Sequence, residues 1–292
     1  MKSELITATS VSGGMTSAYL AANYPTQYNI FSLVRSSNPK TMFKDLVLKR
    51  IVEDRIGMDF IGTLEDDIII TTMLNLEQYL GKPIQWVTSK FTFEEMVRDR
   101  KHLPNMHSRF CTTELKLIPI FEWFYFNAQI PVEMNIGFRA NETERAERAI
   151  AKTDINGFSV LKHTVSKHTE GWRGDKGQNK WEEFAWQKLN FPLINDGILK
   201  KDIIEFWKDK PVKFASINNC RGCYWADPMY TNWEYNFSDN RNKIEAFNDM
   251  ELELNATFRD DCSFKDIMNW KPQLKLEFDD FSSCDTGGCE IN

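Results

Sequence analysis

Ser12-Gly13-Gly14-Met15-Thr16-Ser17 decides the reading of this chain, because it falls directly between a short strand read over Glu4 to Ser10 and an apolar helical stretch from Met15 to Asn23. A loop that wraps an anion needs backbone N–H groups free to turn inward. Glycines at 13 and 14 allow that, and a helix beginning at once directs its positive end toward the anion. Ser12, Thr16 and Ser17 add hydroxyl groups. The spacing is not that of a Walker A loop, which ends in Lys followed by Ser or Thr. A plain turn with a serine cap would also explain Ser-Gly-Gly alone. Placement behind the first strand favours the anion loop.

Outward from this unit, Tyr28 to Val34 reads as a second strand. Thr41 to Ile56 reads as an amphipathic helix carrying Met42, Phe43, Leu46, Leu48 and Ile51. Further helices are expected over Glu65 to Leu80, Phe93 to Arg98 and Glu114 to Asn127, with strands over Ile84 to Val87 and Pro131 to Phe138. Alternating strands and helices predict an α/β fold with a doubly wound, mainly parallel sheet flanked by helices. The expected organisation is a nucleotide-binding core over 1–215 and a helical, cysteine-bearing extension over 216–292 packed on it. Within the core, 140–190 reads as an irregular excursion, with Gly171, Gly174 and Gly177 in a loop and the alternating Trp181 to Phe191 in a hairpin. Helices over Ile198 to Lys208 and Asn240 to Phe258 follow.

The 292 residues are 42% hydrophobic and 27% charged, the proportions of an ordinary globular chain. A formal charge of −6 excludes a global positive field for a long nucleic acid and leaves room for a local basic pocket. The opening residues do not read as a secretory signal, and no apolar run approaches a membrane span. A cytoplasmic protein without membrane association is expected, so the six cysteines read as thiols or metal ligands.

Four segments in one order carry a resemblance. Besides the Ser12 to Ser17 turn they are Arg109-Phe110-Cys111-Thr112-Thr113-Glu114-Leu115-Lys116, Gly137-Phe138-Arg139-Ala140-Asn141-Glu142-Thr143-Glu144-Arg145 and Phe191-Pro192-Leu193-Ile194. Together they resemble the PP-loop superfamily, and within it the phosphoadenylyl sulfate (PAPS) reductase-like group with its adenine nucleotide alpha hydrolase-like fold, in the style of its phage-borne members. The resemblance implies an ATP or PAPS-type nucleotide, with magnesium, whose phosphates meet Ser12, Gly13, Gly14, Thr16 and Ser17. Arg139 and Arg145 are implied as further anion contacts, and Arg109, Lys116, Cys111 and Cys289 as catalytic residues. Without the resemblance, Glu142, Glu144, Arg145 and Arg148 read as helix-surface ion pairs.

Cys220-Arg221-Gly222-Cys223 suits either a metal or a redox dithiol. The resemblance implies that Cys111 approaches this pair, with Cys284 of Cys284-Asp285-Thr286-Gly287-Gly288-Cys289 as a fourth ligand. A four-iron, four-sulfur cluster, a zinc ion and uncommitted thiols all stay open. Phe110 stands where cluster-bearing relatives have the first of two adjacent cysteines, and Gly288-Cys289-Glu290 matches the reductases' terminal Glu-Cys-Gly poorly. Cys262 reads as a small core residue. The function expected is that of an enzyme that binds ATP or an adenylyl sulfate and carries out sulfur transfer or reduction at the cysteine site. The alternatives are adenylation of a nucleobase or tRNA with loss of pyrophosphate, and nucleotide binding without turnover. A thiol electron donor, a nucleic-acid acceptor and a homo-oligomer are the partners these readings imply.

Overall fold

The computed structural model describes residues 5–164 and 181–271. The chain begins with β1 (Thr7–Val11), the glycine turn, α1 (Met15–Asn23) and β2 (Tyr28–Leu33). It then forms the short β3 (Arg35–Ser36), α2 (Leu46–Ile56), β4 (Gly62–Thr63), α3 (Ile68–Leu80), β5 (Ile84–Thr88) and α4 (Phe93–Arg100). One continuous rod follows, α5 (Phe110–Thr112) passing through a π-helical turn, Thr113–Leu117, into α6 (Ile118–Asn127). Next come β6 (Val132–Asn135), α7 (Thr143–Ile150), β7 (Phe158–His163) and β8 (Glu182–Asn190). The described chain closes with α8 (Pro192–Asn195), α9 (Lys200–Trp207), α10 (Pro228–Phe237), α11 (Arg241–Leu254) and α12 (Phe264–Asn269).

The fold is α/β. Its six-stranded sheet has the order β5-β2-β1-β6-β8-β7, and every pairing is parallel except β7 with β8. Neighbouring residues of β2 enter different cores, Ile30 packing with Phe121, Phe124 and Trp186 and Phe31 packing with Trp86, Ile69 and Leu76. A strand buried on both faces in this way belongs to a sheet covered by helices on both sides. From β1 the chain moves outward through β2 to β5 and then returns to place β6 on β1's other flank. The direction of winding therefore reverses between β1 and β6, where the parallel register sets Ala8 beside Met134 and Thr9 beside Asn135. In open α/β sheets such a reversal leaves a crevice beyond the carboxyl ends of the two strands.

Several boundaries differ from expectation, each with a local cause. The helix read over Thr41 to Ile56 starts only at Leu46, because the Asp45 carboxylate accepts from the Val47 and Leu48 N–H groups and caps it there. The last long helix stops at Leu254, where Asn255 takes the left-handed conformation at φ 47°. The strand read over Pro131 to Phe138 narrows to Val132–Asn135. The stretch expected to be irregular carries α7, β7 and β8, two of these being strands of the main sheet. Trp181 to Phe191, read in a hairpin, supplies β8, which pairs antiparallel with the preceding strand β7. Gly171, Gly174 and Gly177 lie outside the described residues.

A third apolar cluster joins α4 to the C-terminal helices through Phe93, Met96, Phe247, Phe258 and Phe264. Cys262 is half-buried beside Asp261 and is not a core residue, correcting the expectation. Gly222 meets this cluster closely: a Cβ there would stand 2.3 Å from Phe247 Cδ2, on a ring only 2% exposed. Gly222→Ala should therefore lower stability by about 1–3 kcal/mol, read as a fall in the urea midpoint with unchanged slope. Among the described residues no helix is long and apolar enough to cross a membrane.

Candidate functional site

The turn after β1 is built from inside. The Ser12 N–H donates to Ser17 Oγ at 3.0 Å, Ser17 Oγ donates to the Gly14 carbonyl at 3.1 Å, and the two serine hydroxyls lie 3.1 Å apart. Gly13 has φ +79°, a conformation that side-chain-bearing residues adopt at a cost. Ser12 and Ser17 are therefore the turn's internal bracing, their side chains buried and hydrogen-bonded to each other. The outward part is Gly14, Met15 and Thr16, where α1 opens with no side-chain cap. Uncapped N–H groups at a helix start carry partial positive charge and suit an anion.

These residues line a cleft of about 1130 Å³. α9 forms the flank beside α1, fixed by the Trp207 Nε1–H donating to the Met15 carbonyl at 3.0 Å. That flank presents Lys200 and, through the Ala140 N–H bonded to the Ile198 carbonyl, the neighbouring Arg139. Arg139 Nε is 3.0 Å from Glu142 Oε2, and Arg145 Nη1 is 2.8 Å from Glu142 Oε1. Glu142 thus holds both arginines, but only Arg139 reaches the cleft. The Arg145 guanidinium lies 4.5 Å over the Phe138 ring and borders a separate small apolar pocket with Trp186 and Phe191. Assigning Arg145 to the same anion is not supported by this placement.

The opposite wall was not legible as a site. Arg221, the residue between the paired cysteines, is 1% exposed and meets Asp66, Glu234 at 3.5 Å and the Tyr230 hydroxyl at 3.4 Å. Burial raises the Asp66 carboxyl, but Arg221, the Ile68 N–H and Asn240 outweigh it and leave the group below its ordinary value. Tyr230 donates to Glu234 at 2.6 Å, and burial, with that bond, pushes its hydroxyl up to about 12. Lys243 pairs with Asp67 at 2.5 Å and contacts the Glu65 carbonyl; burial lowers its ammonium despite that partner. Asn218 links the two walls by donating to Ser12 Oγ at 2.9 Å. Asn218 Oδ1 and Arg221 Nε are buried without a protein partner among the described residues. Such groups call for water or a ligand.

The cysteines form a second locus. Cys111 Sγ is 3.6 Å from the Tyr224 hydroxyl, and Cys220 senses the charges of both Cys223 and Cys111. Burial pushes the Cys220 thiol well above its ordinary value, Glu65 adds to the rise and Lys116 opposes it. Lys116 is 2.8 Å from Glu65, and the Arg109 guanidinium lies 4.7 Å over the Trp225 ring. Arg109 and Lys116 therefore lie near the thiols, and neither lines the cleft. Arg221, and none of Cys111, Cys220 or Cys223, lines the cleft. Among the described residues no group of three or more His, Cys, Asp or Glu is placed to hold a metal ion. Three soft sulfur donors gather here without the shared geometry of a cluster or zinc site, and Asp66 and Asp67 beside the cleft are already engaged by Arg221 and Lys243, so no step is assigned to iron, zinc or magnesium. Cys284 and Cys289 lie outside the described residues.

Two signals could have exposed the second wall. Asp227-Pro228 is a helix start, with Asp227 Oδ1 accepting from the Met229 N–H at 2.7 Å. Tyr230, Trp233 and Phe237 then recur at the spacing of one helical face. Comparisons with protein-family models, curated proteins and solved structures return no match for the chain.

Proposed function

We propose that the chain is a PP-loop-type enzyme of the adenine nucleotide alpha hydrolase-like fold, which grips the phosphates of ATP at Gly14, Met15 and Thr16 and activates an acceptor in the adjoining cleft with release of pyrophosphate. The observation that carries this reading is the position of the turn: its uncapped amides open into a large cleft at the point where the winding of the sheet reverses. Arg139 and Lys200 line the same cleft and supply positive charge for the transferred anion. Oriented amides and cations aimed at the charge that develops on a leaving pyrophosphate are the chief means of accelerating such a transfer. The protein's contribution is positional: Ser17 holds the turn and Gly14 lets the phosphates approach.

Ser17→Ala removes the bracing hydroxyl and is expected to weaken ATP at least tenfold in calorimetric titration. Wild-type protein incubated with ATP and candidate acceptors should release pyrophosphate rather than orthophosphate. Absence of ATP binding by the wild type would remove the reading altogether.

Sulfur transfer or reduction, with ATP or PAPS as the nucleotide, is a second reading, favoured by the gathering of Cys111, Cys220 and Cys223. It requires a thiol to meet the substrate, and among the described residues Cys111, Cys220 and Cys223 do not line the cleft. Anaerobic purification with iron, sulfide and zinc analysis, followed by parallel incubation with PAPS, decides between the two.

A further inference from the structure

The cleft holds a nucleophile that has no part in the reading above. Lys40, Lys44 and Lys200 line the cleft with exposed side chains, whereas Lys243 lines it at only 6% exposure. Lys243 sits in the first turn of α11, a helix that starts without a side-chain cap, and the positive end of a helix opposes an ammonium. Burial lowers the Lys243 ammonium, and the Arg221 charge adds to the fall, against Asp67 and Asp66. A lysine held in this way gives up its proton and attacks electrophiles.

Local geometry directs that attack. Nζ is 2.5 Å from Asp67 Oδ1 and also donates to the Glu65 carbonyl. In the neutral amine these two bonds use both hydrogens and the side chain takes a third position. The lone pair is left at the fourth. The phosphate turn is close by. Asp67 immediately precedes α3, and two residues later Ile69 is the side chain that a Cβ on Gly13 would meet at 2.8 Å. The start of α3 therefore touches both the anchor of Lys243 and the glycine turn. Gly14, Met15 and Thr16 line the same cleft as Asp67 and Lys243.

We propose that Lys243 is a covalent attachment site that takes the adenylyl group of ATP before the acceptor receives it, an inference resting on the ATP-dependent reading above. The Nζ lone pair attacks the α-phosphorus. As the N–P bond forms, the bond from that phosphorus to the bridging oxygen breaks and its electron pair leaves with pyrophosphate. The proton displaced from Nζ passes to Asp67. An acceptor oxygen then attacks the same phosphorus and loses its proton to solvent, the N–P bond breaks, and the nitrogen recovers its proton from Asp67.

The full chain, with no acceptor present, is incubated with ATP radiolabelled at the α or the γ phosphorus, quenched in alkali and digested for mass spectrometry. Only the α label should stay on the chain, as one adenylyl group on the peptide containing Lys243, with an equal amount of pyrophosphate released. Brief acid should free it as AMP, the behaviour of a nitrogen-phosphorus bond. Labelled pyrophosphate should exchange into ATP without an acceptor. Lys243→Arg keeps a cation beside Asp67 and should abolish both label and exchange, while Asp67→Asn should slow labelling about a hundredfold. Calorimetric ATP affinity of each variant separates lost attachment from lost binding. Thermal melting checks the fold of both, and the wild-type peptide map decides alone if neither folds. Label on another residue, exchange that persists in Lys243→Arg, or loss of ATP binding by that folded variant overturns the site.

Pyridoxal phosphate followed by borohydride probes the amine without ATP, and near neutral pH it should trap Lys243 ahead of Lys40, Lys44 and Lys200. A wild type that binds no ATP yet is trapped at Lys243 removes the ATP reading and leaves the nucleophile standing. One that binds ATP and is neither labelled nor trapped keeps that reading and overturns the attachment site.

Discussion

Arg221→Ala is expected to destabilise the protein by about 3–5 kcal/mol, the cost of leaving buried carboxylates without their cation. Arg221 is 1% exposed and serves Asp66, Glu234, the Tyr230 hydroxyl and Ser216 Oγ at 3.3 Å, so its removal strips several groups at once. Chemical denaturation of wild type and variant measures the loss. Arg221→Ala combined with Glu234→Gln should recover part of it, because the second change removes one stranded charge. The pH dependence has a definite sign. Asp66 has a folded value below its unfolded one, so its contribution is complete above the ordinary aspartate value of about 4 and fades as pH falls through the lower folded value. The wild type should therefore lose stability on acidification below about pH 4, and the Arg221→Ala variant should show a flatter acid limb. An equally steep limb in the variant would show that Arg221 is not what holds Asp66 ionised.

Gly13→Ala combines two penalties. The φ of +79° costs a side-chain-bearing residue about 1–2 kcal/mol, and the added Cβ would stand 2.8 Å from Ile69 Cγ2, a crowding worth about 1–3 kcal/mol. Ile69 is 1% exposed in the core between the sheet and α3, so it has little room to yield. The expected sum is about 2–5 kcal/mol of stability. The displaced turn should also cost at least tenfold in ATP affinity, beyond any loss shared by a core variant of similar stability such as Leu76→Ala, a fully buried position whose truncation costs about 2–5 kcal/mol. Calorimetric binding on both variants separates the turn's geometry from general loosening.

The sheet was legible at β1, where a glycine turn and a helix follow at once, and at β2 and β5, short runs rich in apolar residues. β7 was not legible, and β8 was read only as part of a hairpin and not as a strand of the main sheet. β8 reads Glu182-Glu183-Phe184-Ala185-Trp186-Gln187-Lys188, with charges at its start and an edge partner, so its pattern is that of a half-exposed segment rather than a buried strand. Of the proposed site, glycines and serines after a strand revealed the turn, because a backbone that must bend sharply before a helix has few residues to choose from. The roles inside that turn were not readable: only coordinates separate a serine that points inward from one that points out. Arg139 and Arg145 look equivalent in sequence, six residues apart, yet they leave Glu142 in different directions. Arg221 was hidden by its neighbours, since two cysteines flanking a residue draw attention to sulfur and away from the cation between them.

The single bond from Asn218 to the Ser12 hydroxyl has a consequence for how this architecture can be rebuilt. It stitches the last third of the polypeptide to the first dozen residues, so the C-terminal helices are not a detachable cassette. A chimera that borrowed another protein's tail would inherit a roof over the cleft, but it would lose the strut beneath the loop unless the donor brought an amide side chain to the same spot.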